Sequence, residues 1–210
     1  MLPRALILDI EGTLLHTRRG PHLAPWEARL GLARGQLARE ALAIPAALRA
    51  RLGLVHDADI WLELACLYRL HAREMRSLAR DFHAGERVAG SVARLLREAL
   101  DELPIALVAN GWPGLRARLS AQVDLPDLAV TTIISAEEGL VLPDTRLYEL
   151  ACERLGFSPA EALFVGARAA HLAGAHDGGH AILRWPGAPK LRRMIAVFRA
   201  GAVRHEELVT

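Results

Sequence analysis

Lysine is almost missing from this chain: Lys190 is the only one in 210 residues, and the other basic side chains are arginines. Basic and acidic groups nearly balance, with a formal charge of +2 and no long run of one sign. That leaves no electrostatic footprint for nucleic acid, and none is expected as a partner. Cysteine is scarce too. Cys66 and Cys152 sit in apolar helical patterns with no CxxC or histidine-spaced partner. This argues against a disulfide framework or a zinc knuckle and for buried, reduced thiols in the cytoplasm. No window approaches the roughly 18 uninterrupted apolar residues of a membrane span. The chain opens on a strand pattern rather than a charged region followed by a cleavable apolar stretch, so neither export nor a membrane is expected. Repeats and low-complexity segments are absent.

What is present is a rhythm of short apolar runs. ALILD at 5–9, PIALVA at 104–109, TTIIS at 131–135, ALFVG at 162–166 and HAILR at 180–184 are each too short for a helix. They predict buried strands of a parallel sheet. Helical patterns at 86–100, 114–122, 143–156 and 169–177 fall between them, with Pro143 and Asp144 suited to a helix start. The fold class is therefore α/β, a doubly wound three-layer sheet that binds ligands at the carboxyl ends of its strands. One interval breaks the rhythm. Residues 16–85 carry no strand signal and are rich in Ala, Leu, Arg and Glu at helical spacing. They predict an all-helical insertion over a core formed by 1–15 and 86–210. The C-terminal PKLRRMIAVFRAGAVRHEEL predicts a basic amphipathic helix packed on the sheet with its arginines outward.

Four loops at strand ends carry the chemistry. In LILDIEGTLL the first strand delivers Asp9 to the sheet edge, followed by Glu11, Gly12 and Thr13. The second reads ALVANG, with Ala109, Asn110 and Gly111; the third GLVLPDTRLY, with Leu142; the fourth FVGARAAHLAGA, with Ala167, Arg168 and His171. In this order, and with a helical insertion after the first strand, the chain resembles the haloacid dehalogenase superfamily over nearly its full length.

The resemblance implies an aspartyl nucleophile at Asp9 that forms a covalent intermediate. It places an acid/base carboxyl at Glu11, a turn at Gly12 and Thr13, and ligand contacts at Thr13, Ala109, Asn110 and Gly111. The phosphatase members also use magnesium, held by the nucleophile and by acids after the fourth strand. The enolase-phosphatase branch shares the DIEGT reading, although glutamate moves the carboxyl by about 1.5 Å, one C–C bond.

Three departures fall on the loops around Asp9. Ala109 replaces the Ser or Thr, Leu142 the lysine, and Ala167 the ligand aspartate. Each lost donor or charge typically costs about 10²–10⁴ in rate. Asp9 alone remains as a metal position, so no cofactor is expected, or Mg2+ only if chemistry survives. The reading is a catalytically impaired hydrolase-like protein that binds a small anionic ligand or a protein partner. The alternative is a divergent, active phosphatase or hydrolase working through Asp9 and Glu11.

Other residues bear on the site. Arg168, and with less reason Arg146, offer positive charge to an anion. His171, His176 and His180, with Asp177 beside them, carry imidazoles suited to zinc, but Gly178 and Gly179 interrupt any shared helical face. Glu137 and Glu138 fit loop caps, Trp26 and Trp61 fit the core of the insertion, and Trp112 fits a pocket wall or a turn anchor.

Overall fold

The computed structural model describes residues 3–199. Strand β1 (Ala5–Asp9) turns through Gly12 into β2 (Leu15–Thr17). The insertion follows as α1 (Gly20–Leu30), α2 (Gln36–Ala43), α3 (Pro45–Ala50), α4 (Asp57–Tyr68) and α5 (Ala72–His83). The chain returns through β3 (Glu86–Val88), which pairs antiparallel with β2 as a two-stranded neck. Helix and strand then alternate: α6 (Gly90–Leu100), β4 (Ile105–Ala109), α7 (Leu115–Ser120), β5 (Thr131–Ile134), α8 (Ser135–Glu138) and α9 (Thr145–Leu155). The described chain ends with β6 (Ala162–Gly166), α10 (Ala169–Asp177), β7 (Ala181–Arg184) and α11 (Ala188–Arg199).

The main sheet runs β5-β4-β1-β6-β7 with every neighbouring pair parallel. Its inner strands β1, β4 and β6 are buried at every residue, which is why they read as continuous apolar runs. Alternate side chains feed two layers. Leu6, Leu8, Ile105 and Leu107 pack with Leu96 of α6, Leu119 of α7 and Leu191 of α11. On the other face Ile7, Val108 and Phe164 meet Leu147, Tyr148 and Ala151 of α9. The chain is an α/β doubly wound protein with β1 at the centre of its sheet, so Asp9 emerges between the ends of β4 and β6.

The structure departs from the sequence reading in a few places. The helix expected from residue 86 starts at Gly90, because Glu86–Val88 pairs with β2 instead. The segment 114–122 contracts to Leu115–Ser120. Cys66 is exposed on α4 rather than buried, whereas burial raises the Cys152 thiol to about 11. In α11, Leu191 and Ile195 are buried and Arg192 pairs with Glu98 at 2.7 Å. The basic pattern from residue 200 onward lies outside the described residues. No helix among the described residues is long and apolar enough to cross a membrane.

The five inserted helices enclose their own apolar cluster, including Leu23, Leu37, Ile60, Trp61, Leu64, Leu78 and Phe82. Trp26 stays at its edge, donating from Nε1 to Asp81 at 2.8 Å. The cluster is completed from outside by Trp112, on the loop after β4. Its ring stacks on Phe82 at 5.5 Å and meets Trp61 edge-on at 5.9 Å. Polar contacts continue the seam. Arg118 of α7 donates to Asp57 at 3.1 Å and to Glu86 at 3.0 Å, and Glu86 also contacts His83 Nδ1 at 2.8 Å. Gly53 approaches α8 so closely that a Cβ there would lie 2.1 Å from the Ala136 carbonyl oxygen, and its φ of +69° also favours glycine.

Burial pushes the Glu86 carboxyl up, but His83 and Arg118 together outweigh it and hold the group below its ordinary value. A depressed carboxylate stabilises the fold above its unfolded pKa, and that stability is lost as pH falls through the folded value. Glu86→Gln is expected to lower stability at pH 7 by about 1–3 kcal/mol. The gap to wild type should close below about pH 4, as read from urea titrations at both pH values. Trp112→Ala should cost about 3–5 kcal/mol in the same assay; a loss under about 1 kcal/mol would show that the indole does not join insertion to core.

Candidate active site

Asp9 ends the central strand, and its side chain has no exposed surface. Oδ1 accepts the Glu11 backbone N–H at 3.2 Å, and Oδ2 lies 2.7 Å from His171 Nδ1. With Asp9 ionised, Nδ1 carries the proton and donates. His171 sits in the first turn of α10 and is itself buried. Its carbonyl accepts the Tyr148 hydroxyl at 2.7 Å, and Tyr148 packs edge-on against Phe164 at 5.1 Å. Burial raises the Tyr148 pKa, which keeps the hydroxyl a neutral donor.

The loops around this pair are bonded to one another. The Thr13 hydroxyl donates to the Asp9 carbonyl and accepts the Leu14 N–H at 2.6 Å. Asn110 forms a two-way clamp with Leu142, donating to its carbonyl at 2.9 Å and accepting its N–H at 2.7 Å. Gly111 and Ser135 exchange bonds of 3.0 and 3.2 Å. Thr13, Asn110 and Gly111, assigned to a ligand by sequence, thus turn these polar groups toward the protein. Ala109 is fully buried at the end of β4 and presents no hydroxyl. Leu142 packs in the apolar layer with Leu147 and Tyr148. Gly12 has a φ of +78°, and a Cβ added there would lie 3.0 Å from the Ala167 Cβ, so the first and fourth loops touch.

Glu11 reaches outward instead. Its carboxylate meets Arg168 at 2.7 Å, so the cation expected to face an anion has a partner within the chain. Burial is the largest influence on Glu11 and raises its pKa; Arg168 and His171 oppose it, and Asp9 adds to it. Glu11 and Arg168 border a cleft of about 120 Å³ that extends from the neck to Trp112 and does not include Asp9 in its lining.

The remaining expected residues disperse. His176 is exposed beside Asp177, and His180 is buried 5.8 Å from the Tyr148 ring, its pKa lowered by burial. The three histidines therefore share no metal site, and among the described residues no cluster of three or more His, Cys, Asp or Glu is placed to hold an ion. Arg146 pairs with Asp144, Glu137 with Arg116 and Glu138 with Arg154. Sequence reading missed the His171–Asp9 pair and the roles of Arg19, His83, Glu86 and Arg118 at the seam. His171 does carry a signal in the sequence, standing where the family usually has a further Asp or Asn, but that signal does not name Asp9 as its partner.

Comparison with curated proteins finds no match. Among solved structures the chain is similar to a HAD family enzyme from Bacteroides thetaiotaomicron in complex with magnesium and inorganic phosphate. The TM-score is 0.74 at 14% identity, over 87% of this chain and 93% of that one. It is also similar to a HAD-like family hydrolase from Porphyromonas gingivalis, with a TM-score of 0.73 at 17% identity over 93% and 98% of the two chains. A 2-haloacid dehalogenase from Pseudomonas syringae pv. Tomato DC3000 gives 0.64 at 17% identity over 92% and 98%. At such identities the likeness establishes the fold. The sequence profile of haloacid dehalogenase-like hydrolases matches residues 3–179. Together with four ordered loops gathered at one sheet end, this shows that the chain belongs to the haloacid dehalogenase-like hydrolase family.

Proposed function

We propose that this chain keeps the family's architecture but has lost group transfer, and that it acts by binding a small ligand in the cleft between core and helical insertion. The insertion, residues 16–85, serves as a cap over the core of 1–15 and 86–210. The observation that carries this reading is the state of Asp9. A nucleophile needs a free oxygen and a path to its target. Here one oxygen receives an imidazole proton, the other a backbone N–H, and the side chain has no exposure.

The Bacteroides relative holds magnesium and phosphate, but the residues of this chain do not fit the ion. Octahedral oxygen ligation needs carboxylates or carbonyls converging on one point. The Ala167 methyl sits where the family places an acid, and His171 Nδ1 occupies Asp9 Oδ2. An imidazole thus takes the carboxylate oxygen that a metal would need. Reduced, unpaired cysteines fit the cytoplasm as the place of action.

One observation favours the competing reading, a hydrolase using Asp9 and Glu11. Glu11 borders the cleft with a raised pKa, a property of proton donors. Turnover of generic phosphate monoesters and 2-haloacids, with and without Mg2+, separates the two. Wild type and Asp9→Asn are expected to be indistinguishable. A magnesium-dependent rate present in wild type and absent in Asp9→Asn would overturn the proposal. Calorimetric titration with Mg2+ should show no saturable heat at millimolar concentrations.

A further inference from the structure

We propose that the seam cleft is a binding site for a compact oxyanion, held by Arg19 and Arg51 of the cap together with Arg118 and Arg168 of the core, away from Asp9. The assignment rests on the reading that the cleft binds its ligand without turning it over.

Charge is the first ground. Four guanidinium groups line the cleft against two carboxylates, Glu11 and Glu86, and Asp57 stands behind Arg118. Glu11 is matched to Arg168 at 2.7 Å, and Glu86 and Asp57 to Arg118 at 3.0 and 3.1 Å. Arg19 is left with Glu86 at 3.7 Å, and Arg51 bonds the Leu42 carbonyl at 3.2 Å. An excess of positive charge therefore remains on the cap side of the cavity.

Unmet hydrogen-bonding capacity is the second ground. Arg19 Nε and His83 Nε2 are both buried without a partner, and both side chains line this cleft. Burying an unpaired donor costs about 1–3 kcal/mol, so the Arg19 Nε–H marks a place where a ligand supplies an acceptor. Arg19 is also held in place, its guanidinium 4.4 Å over the Phe82 ring, and burial lowers its pKa. The group is thus preorganised rather than free to swing into solvent.

Size and shape set the ligand class. A cavity of about 120 Å³ is smaller than the roughly 150 Å³ that admits benzene. It suits a phosphate ion or a short carboxylate. Trp112, Leu42 and Leu115 supply apolar wall beside the arginines. Because Arg19 and Arg51 belong to the cap and Arg118 and Arg168 to the core, an anion between them ties the two parts together.

The test is calorimetric titration of the full chain at pH 7 with inorganic phosphate and, separately, with malonate. Chloride at matched ionic strength is the reference. Saturable one-site binding by either oxyanion is expected, and the stronger arm identifies phosphoryl or carboxylate chemistry. Arg19→Gln and Arg51→Gln should each weaken binding by about tenfold or more, and Arg146→Gln on the exposed side of α9 should leave it unchanged. Bound anion should also slow amide exchange in β2 and β3. No saturable binding in either arm, or binding indifferent to both cap arginines, would overturn the assignment. If Arg19→Gln fails to fold, Arg51→Gln decides alone. Turnover that depends on Asp9 would remove the proposed function while leaving an anion titration intact. A flat titration would remove this site while leaving lost catalysis intact.

Discussion

A carboxylate with no exposed surface at the end of a central strand must be paired, because an isolated buried charge costs several kcal/mol. In this chain the partner is His171, 2.7 Å away on the helix that follows β6. The surroundings of Asp9 are arranged around that pair. Tyr148 holds the His171 backbone, Leu142 and Leu147 shield the apolar side, and the Glu11 amide occupies the second carboxylate oxygen.

The same logic extends to the loops. Strand-end amides and hydroxyls can face either a ligand or a neighbouring loop. In this chain they are used between loops, as in the Asn110–Leu142 clamp and the Gly111–Ser135 exchange. Such contacts rigidify the sheet end without any bound group. At the seam, arginines of the insertion and of the core line a small cavity.

Much of the architecture could be read directly. The five strands of the main sheet announce themselves as short apolar runs because parallel strands are buried on both faces, and Asp9 was placed correctly at the end of the first. The neck was invisible. Leu15–Thr17 and Glu86–Val88 are three-residue strands of mixed polarity, and only their mutual pairing defines them. Glu86 and Val88 even fit a helical pattern until the partner strand claims them. At the site, the absences at Ala109, Leu142 and Ala167 were legible as single letters. What replaces them was not, since Asp9 and His171 are 162 positions apart and no local spacing couples them. Trp112 was ambiguous for the same reason: its burial depends on Phe82 and Trp61, which reach it only in the folded chain.

That indole carries a mechanical consequence. An insertion joined to its core by two short strands would ordinarily be free to swing. Trp112 is rooted in the core yet buried among residues of the insertion, so any wide separation must draw an aromatic ring out of its packing and into water. The helical insertion of this protein is therefore latched to the core, not merely hinged on the neck.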